Sequence, residues 1–563
     1  LSKKKIKQKI TKNNNQNLGY IKQLPTFLLP KYYHHVRVTN RFIKTMSLIK
    51  ITVLISFLII GSDGARILGV FPFASISHQV VFRGVIKELV TRGHDVTVIT
   101  PDPAFPKGET PTNLTEINTH AEAYAILRKK LTETVSTSQN SGLRDQVIVI
   151  ENLIVHFVEQ ILLNEEVREM INDEKQKFDL LLLESCAKPA LIFSHIYKAP
   201  VIQISSFGAK VTTYPPFGVT EHPIVYPLCM NRKVHNLSLW DKFLEIYNYL
   251  QLVQIFKNHE RESDEMFKKF YGAKAPSVTY LQNNVDMLFL NVHPIFEGIR
   301  PVPPTVQYMA GLHQKPHMEL PKDLQKYLDS SKNGVIYFSF GTNVDPTLLS
   351  PEKVKLFVTV LSKLPYDVLW KWNGDDLPGR TENIKISKWL PQSDLLRHPK
   401  VKVFITQGGL QSTDEAITAG VPLVGIPMLG DQWFNVERYV YHNIGVGLDF
   451  ETLTEDDFRN AILKVIEDES YRENIIKLRT LMKDEPVNSL EKSIWWIEYV
   501  IRHGGAKHLR SPGANVSWTQ FLELELVLIV LAVFIIALSL LGTVLYAAHK
   551  YVKSYLICKL KVA

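Results

Sequence analysis

Cysteine is nearly absent: Cys186, Cys229 and Cys558 are the three in 563 residues. That excludes a disulfide-stapled scaffold and a cysteine-ligated metal cluster, and leaves one disulfide at most, between Cys186 and Cys229. Acidic residues are missing altogether from positions 1–45, which carry nine Lys, two Arg and the run Asn13 to Asn15. Such a stretch buries no core and is expected to be leader sequence ahead of the first methionine, Met46. Without its eleven positive charges the net charge of +9 becomes −2 for residues 46–563, so charge gives no ground for a nucleic-acid partner. Familiar chemical signatures are absent too. No GxxxxGKS/T occurs and no GxGxxG follows the first strand-like run, excluding a P-loop and a nicotinamide fingerprint. Neither GxSxG nor HExxH is present, against a serine hydrolase of the elbow type and a zinc protease.

The two ends carry membrane signals. Lys50 precedes the apolar run ITVLISFLII, and the small residues Ser62 and Gly64 come just before Ala65. That predicts a cleavable signal peptide over 46–64, too short to span a bilayer. Residues 526–546 contain no charge and are long enough to span; His549, Lys550, Lys553, Lys559 and Lys561 follow. The basic side marks 547–563 as a cytoplasmic tail, so the expectation is a single-pass type I membrane protein with its body lumenal or extracellular. Three glycosylation sequons, at Asn113, Asn236 and Asn515, fall inside that body. Lys559 and Lys561, at −5 and −3, resemble a signal for return to the endoplasmic reticulum; a plain stop-transfer flank accounts for them equally.

About 460 residues remain between these ends, more than one hydrophobic core organises. RILGVFPF, then apolar positions at helical spacing from Val80 to Leu89, then Val96 to Ile99 make a strand–helix–strand unit. FDLLLLE (178–184) and PVIQIS (200–205) read as later strands of the same sheet. The proline-rich stretch 300–321 is a linker, after which strand and helix signals restart at GVIYFSFG (334–341). The spacing predicts two tandem doubly wound α/β domains: 65–310, and 311–505 with 506–525 as a juxtamembrane segment. Ligands of such sheets bind beyond the carboxyl ends of the strands.

One junction carries chemistry. In FITQGGLQSTDEA (404–416) a strand runs into Gly408 and Gly409 and then a helix that Gly420 ends, before the strand PLVGIP. Glycines permit close backbone approach, and a helix N-terminus offers unpaired N–H groups and partial positive charge. The physics points to a phosphate. Taken alone, Ser412-x-x-Glu415 also reads as a capping box, Trp389 as a core aromatic and Asp431 as a turn residue.

The 44 residues from Trp389 to Gln432 resemble the signature of the UDP-glycosyltransferases, which move a sugar from a UDP-sugar to a small lipophilic acceptor. The match includes Trp-x-Pro-Gln, the glycine pair, Glu415, Gly-Val-Pro at 420–422 and Asp431-Gln432. RGHDVT, SFGT, the span and the basic tail occur in family order, and the chain looks like an insect member. The resemblance implies a GT-B architecture: an N-terminal acceptor-binding domain and a C-terminal UDP-sugar-binding domain. It gives Trp389 the uracil and Gln392 and Glu415 the ribose. Thr342, Gln407, Gly408, Gly409, Gln411 and Ser412 fall to the phosphates, and Asp431 and Gln432 to the sugar. Where many members have His before the glycine pair, this chain has Gln407, which never carries charge. His78, in FASISHQVVF, matches the family's catalytic base, and Glu184 stands where its Asp partner is usual. Alone, His78 reads as a helix cap and Glu184 as a salt-bridged strand end.

The implied reaction is inverting transfer of a hexosyl group, UDP-glucose being preferred as donor, to a hydroxyl of a small lipophilic acceptor, in conjugation or detoxification at the endoplasmic reticulum membrane. No cofactor or metal is expected, since no Asp-x-Asp stands beside the signature, and UDP-sugar is a co-substrate. Homo-oligomerisation stays open. The other reading is a non-catalytic UDP-sugar or lipophile binding protein with a degraded dyad, which Gln407 and Glu184 keep alive.

Overall fold

Apolar runs such as LLLLE and VIYFS are buried along their whole length, as strands are when helices cover both faces of a parallel sheet. The computed structural model of the chain describes residues 64–106, 108–137 and 142–562; the expected leader, and the signal peptide up to residue 63, lie outside the described residues. Two sheets form, every pair of neighbouring strands parallel. The first has the order β3-β2-β1-β4-β5-β6-β7. Its strands are β1 (Arg66–Val70), β2 (Asp95–Thr100), β3 (Leu114–Asn118), β4 (Leu180–Glu184), β5 (Val201–Ser205), β6 (Val285–Leu290) and β7 (Val306–Tyr308). The second has the order β10-β9-β8-β11-β12-β13. It comprises β8 (Val335–Ser339), β9 (Asp367–Lys371), β10 (Ile384–Ser387), β11 (Val401–Thr406), β12 (Leu423–Gly425) and β13 (Gly445–Gly447).

The order reverses between β1 and β4 in the first sheet and between β8 and β11 in the second. At such a switch point adjacent loops diverge and leave a crevice at the strands' carboxyl ends. The sequence puts its candidate residues there: the segment after β1 carries His78, β4 ends on Glu184, and the segments after β8 and β11 carry Thr342 and the glycine pair.

In the first domain α1 (Ile76–Thr91) buries Val81, Phe82, Val85, Ile86 and Leu89, an i, i+3, i+4 stripe, and the chain turns at Gly93 with φ +88°. Helix α2 (Leu143–Leu163) is apolar and long enough to cross a membrane, but Val147, Ile154, Val158 and Ile161 sit in the domain core. Helix α3 (Leu239–Tyr271) opens on a capping box, Ser238 with Asp241. In the second domain α4 (Leu410–Ala419) follows β11, and α5 (Gln432–Tyr441) follows β12.

Two boundaries differ from the sequence expectation. Helix α6 (Ser489–His503), inside the range 311–505 assigned to the second domain, packs on the first: Ile494, Ile497 and Val500 are fully buried in one cluster with Ile67 and Phe71. Arg92 bonds Glu491 at 2.5 Å and Glu498 at 3.3 Å at the same seam. Its apolar stripe needs cover, and the outer face of α1 supplies it. Helix α7 (Leu524–Val562) does not stop at Tyr546; no proline or glycine follows Gly542, so residues 547–562 continue it. Its apolar part is long enough to span a bilayer.

Candidate active site

Glu184 ends β4 fully buried, and His78 is the third residue of α1. His78 Nδ1 lies 2.6 Å from Glu184 Oε1. The second oxygen of Glu184 accepts the Phe73 N–H at 3.2 Å, and Cys186 Sγ donates to Oε1 at 3.2 Å. Burial, with the neighbouring carboxylate, holds the Cys186 thiol well above its usual range, so it stays a protonated donor. Phe73 stacks on the imidazole with centroids 4.5 Å apart, and Phe207 meets it edge-on at 5.8 Å. The partner of Glu184 is thus a histidine with a fixed ring plane, Nδ1 on the carboxylate and Nε2 on the other side of the ring. His78, Glu184 and Cys186 bring three donor atoms within 4.8 Å of one another. With the thiol protonated and Nδ1 held by the carboxylate, they fit a hydrogen-bonded dyad rather than a metal centre. Cys186, Cys229 and Cys558 are all free thiols.

Beyond β11 the two glycines do different jobs. Gly408 has φ +91°, and a Cβ there would meet Val436 Cγ2 at 2.8 Å and the Gln432 carbonyl oxygen at 3.1 Å, so only glycine fits. Gly409 is the N-cap of α4 at an ordinary φ of −62°, and its Cβ position meets nothing nearer than 3.7 Å. Its value is the open approach to the helix N–H groups. Because Gly409 is the N-cap, Ser412 lies inside the first turn and the capping-box reading of Ser412 and Glu415 does not hold. Gln407 is buried, with Oε1 unpartnered and Nε2 packed against Gly341, whose own φ is +71°. The two ends of that amide are interchangeable, and a phosphate would select the orientation that presents N–H. Thr342 is exposed in the turn after β8. Gln411 is engaged elsewhere: its Nε2 donates to the Ser206 carbonyl of the first domain at 3.2 Å.

Trp389 is 67% exposed, which removes the core-aromatic reading and leaves its ring open for stacking. Close by, Gln392 accepts from Tyr337 OH at 2.8 Å and donates Nε2 to Ser412 Oγ at 2.9 Å and Glu415 Oε2 at 2.7 Å. The Glu415 carboxyl is pushed up by burial.

Asp431 and Gln432 open α5. Gln432 Oε1 accepts the N–H groups of Met428 and Leu429, both at 2.8 Å, so its amide nitrogen is what remains for a ligand. Asp431 accepts from Asn435 Nδ2 at 2.9 Å, and the same nitrogen donates to the Gly408 carbonyl at 2.9 Å. Burial pushes the Asp431 carboxyl up, and His78 lies close enough to pull it back. Asp431, at the start of α5, is therefore near the His78–Glu184 dyad. Sequence reasoning missed Asn435, whose signal is its place four residues after Asp431, one helical turn on. It also missed contacts that no local pattern announces. Ser75 Oγ donates to Asn343 Oδ1 at 3.1 Å, and Gln146 of α2 donates to the Met428 carbonyl at 3.2 Å while accepting the Gly430 N–H at 3.4 Å. A concavity of about 660 Å³ between His317 and Pro399 contains none of these residues.

The three sequons differ. Asn113 Nδ2 donates to the Val90 and His94 carbonyls at 2.9 and 2.8 Å, which engages both of its amide hydrogens. Asn236 and Asn515 are exposed, in left-handed conformations, and Asn515 Nδ2 bonds Asn283 at 2.5 Å.

Residues 66–556 match the sequence family described as UDP-glucoronosyl and UDP-glucosyl transferase. The ecdysteroid UDP-glucosyltransferase of Spodoptera littoralis nuclear polyhedrosis virus is 34% identical over 486 residues, covering 83% of this chain and 94% of its own. UDP-glucuronosyltransferase 2B17 of Homo sapiens is 29% identical over 506 residues, covering 87% and 94%. The solved structure of CalG4, the calicheamicin glycosyltransferase, superposes with a TM-score of 0.53 at 16% identity over 78% of this chain and 99% of that one, a likeness of fold. With a family match over residues 66–556 and viral relatives of about one-third identity across most of its length, the chain belongs to the UDP-glucuronosyl and UDP-glucosyl transferases and is a GT-B glycosyltransferase acting on a UDP-sugar.

Proposed function

We propose that the enzyme transfers a hexosyl group, with inversion, from UDP-glucose to a hydroxyl of a small lipophilic acceptor. The observation that carries this is the 2.6 Å bond between His78 and Glu184. His78 Nε2 takes the hydroxyl proton as the oxygen bonds to C1 of the sugar; the C1–oxygen bond to UDP breaks on the opposite face, and the electron pair leaves with the diphosphate. Glu184 holds the tautomer and stabilises the imidazolium as it forms. The N–H groups at the start of α4 meet the charge on the leaving diphosphate, and the step needs no metal. Asp431 and the Gln432 amide bring no cation to the sugar, which suits a neutral hexose better than a uronate. The names of the viral relatives, ecdysteroid UDP-glucosyltransferases, support both glucose and a lipophilic hydroxylated acceptor. Phe73 and Phe207 against the base give that acceptor an apolar seat. On this reading α7 anchors the chain in the endoplasmic reticulum membrane with the cleft in the lumen, glycosylated at Asn236 and Asn515, in a conjugating or detoxifying role.

His78→Ala is expected to lower transfer by about 10²–10⁴-fold while UDP binding, measured calorimetrically, stays as in the wild type. Unchanged turnover of a phenol panel with UDP-glucose would refute the assignment.

A further inference from the structure

The first half of α3, LWDKFLEIYNYL from Leu239 to Leu250, is turned inside out. Its inward face holds a carboxylate: Glu245 is buried and accepts from Asn231 Nδ2 at 2.7 Å and the Lys233 N–H at 3.2 Å. Its outward face is apolar. Leu239 (85% exposed), Trp240 (65%), Phe243, Ile246, Tyr247 and Leu250 (59%) recur at three- and four-residue steps and form one stripe, with the Trp240 and Phe243 rings stacked at 5.3 Å. From Leu252 on the helix is ordinary, with Leu252, Ile255 and Phe256 buried and Gln254 and Lys257 outside. A solvent-facing helix gains nothing from a stripe about 18 Å long of such side chains, and a contiguous patch of this kind marks a surface that something covers.

We propose that this stripe rests on the surface of a lipid bilayer, the one that α7 is long enough to cross; the inference rests on reading α7 as a membrane span. Continuity of the chain favours lipid as the occupant. Just before α7, the Asn515 N–H donates to the Pro215 carbonyl at 3.0 Å, and Ser511 packs on Gly218. The loop they touch continues to Glu221, whose carboxylate accepts from Tyr249 OH of α3 at 3.2 Å. The stripe is therefore one loop from the anchor. Eight residues, at most about 30 Å of extended chain, separate Asn515 from the start of α7 at Leu524. That link also exposes Trp518 and Phe521. Tryptophan and tyrosine beside aliphatic residues are the side chains that settle at a lipid–water boundary, and the exposed Lys242 suits an anionic headgroup.

The test uses the full chain in vesicles of phosphatidylcholine and phosphatidylserine loaded with a lipid-soluble carbene photoprobe, with adducts mapped by mass spectrometry. Label is expected on 239–250 as well as on α7. In a chain carrying Trp240→Ser, Phe243→Ser and Leu250→Ser, stripe label should fall at least about fivefold while α7 label and UDP binding persist. Label on α7 with none on 239–250 of the wild type overturns the proposal. Label on neither overturns the membrane span itself, which separates the two failures. Lysine cross-links joining Lys242 of two copies, with the stripe unlabelled, assign it to a second copy of the chain and overturn it too.

Discussion

Asp414, on the buried side of α4, meets the interdomain linker, its carboxyl accepting from the Gly311 backbone, and burial beside Glu415 pushes it up to about 7. An acid raised in the folded state binds its proton more tightly there than in the unfolded chain. Its contribution is therefore complete below pH 4 and is lost as pH rises to about 7. The loss is about 4 kcal/mol at most. Asp414→Asn keeps the shape and cannot titrate. Urea melts at pH 5 and 7.5 should show the wild type losing stability on the alkaline side relative to the variant, and parallel profiles would count against this account. The positions legible from sequence, His78, Glu184, Gly408 and Glu415, are those that lie at or within a few positions of a strand end or a helix start. Gln411 shows the limit: its place at the helix start says phosphate, while its amide, in the structure, holds Ser206 some 200 residues away. Cys186 was illegible as a support for Glu184 because a thiol beside a carboxylate has no spacing of its own.

At the scale of elements, the loop Met428–Gln432 brings Asp431 near His78. It is held from its own domain by Gln432 and Asn435, and across the cleft by Gln146, whose single amide takes one donor and one acceptor from the loop backbone. Gln146→Ala removes both cross-cleft bonds and touches no residue of the uridine site. Two net hydrogen bonds of ordinary strength predict a rise of about tenfold in KM for UDP-glucose with the affinity for UDP alone unchanged. Equal weakening of both ligands would show general damage instead. The strands that were readable, among them β4, β5, β8 and β11, are short runs dominated by apolar residues. Strands β3, β6, β7 and β10 were not read, nor was the three-residue β13, GVG, whose identity comes from its neighbour β12, nor the reversed face of α3. A moment-based reading places an apolar stripe inward, and here Glu245 occupies that side.

At the scale of the molecule, the chain leaves the first domain, builds the second, and returns. Helix α6 closes the core that β1 and α1 began some 400 residues earlier, with Ile494, Ile497 and Val500 against Ile67 and Phe71. Periodicity identifies α6 as amphipathic and leaves unspecified which domain it covers, so a boundary drawn from sequence falls on the wrong side of it. Each of those three buried side chains is worth about 1.5–3 kcal/mol, a large part of the 5–15 kcal/mol that holds a typical domain. A chain ending at Asn515 keeps the helix and its seat on Pro215, and should bind UDP and transfer glucose like the full enzyme in detergent. A chain ending at Asn488 strips the first domain while leaving the second sheet and its phosphate mouth whole. It should still bind UDP, lose transfer, and show proteolytic cleavage within residues 65–310 at least about tenfold faster than the longer chain. Wild-type turnover from the shorter chain would mean that the first domain holds its dyad without this clasp.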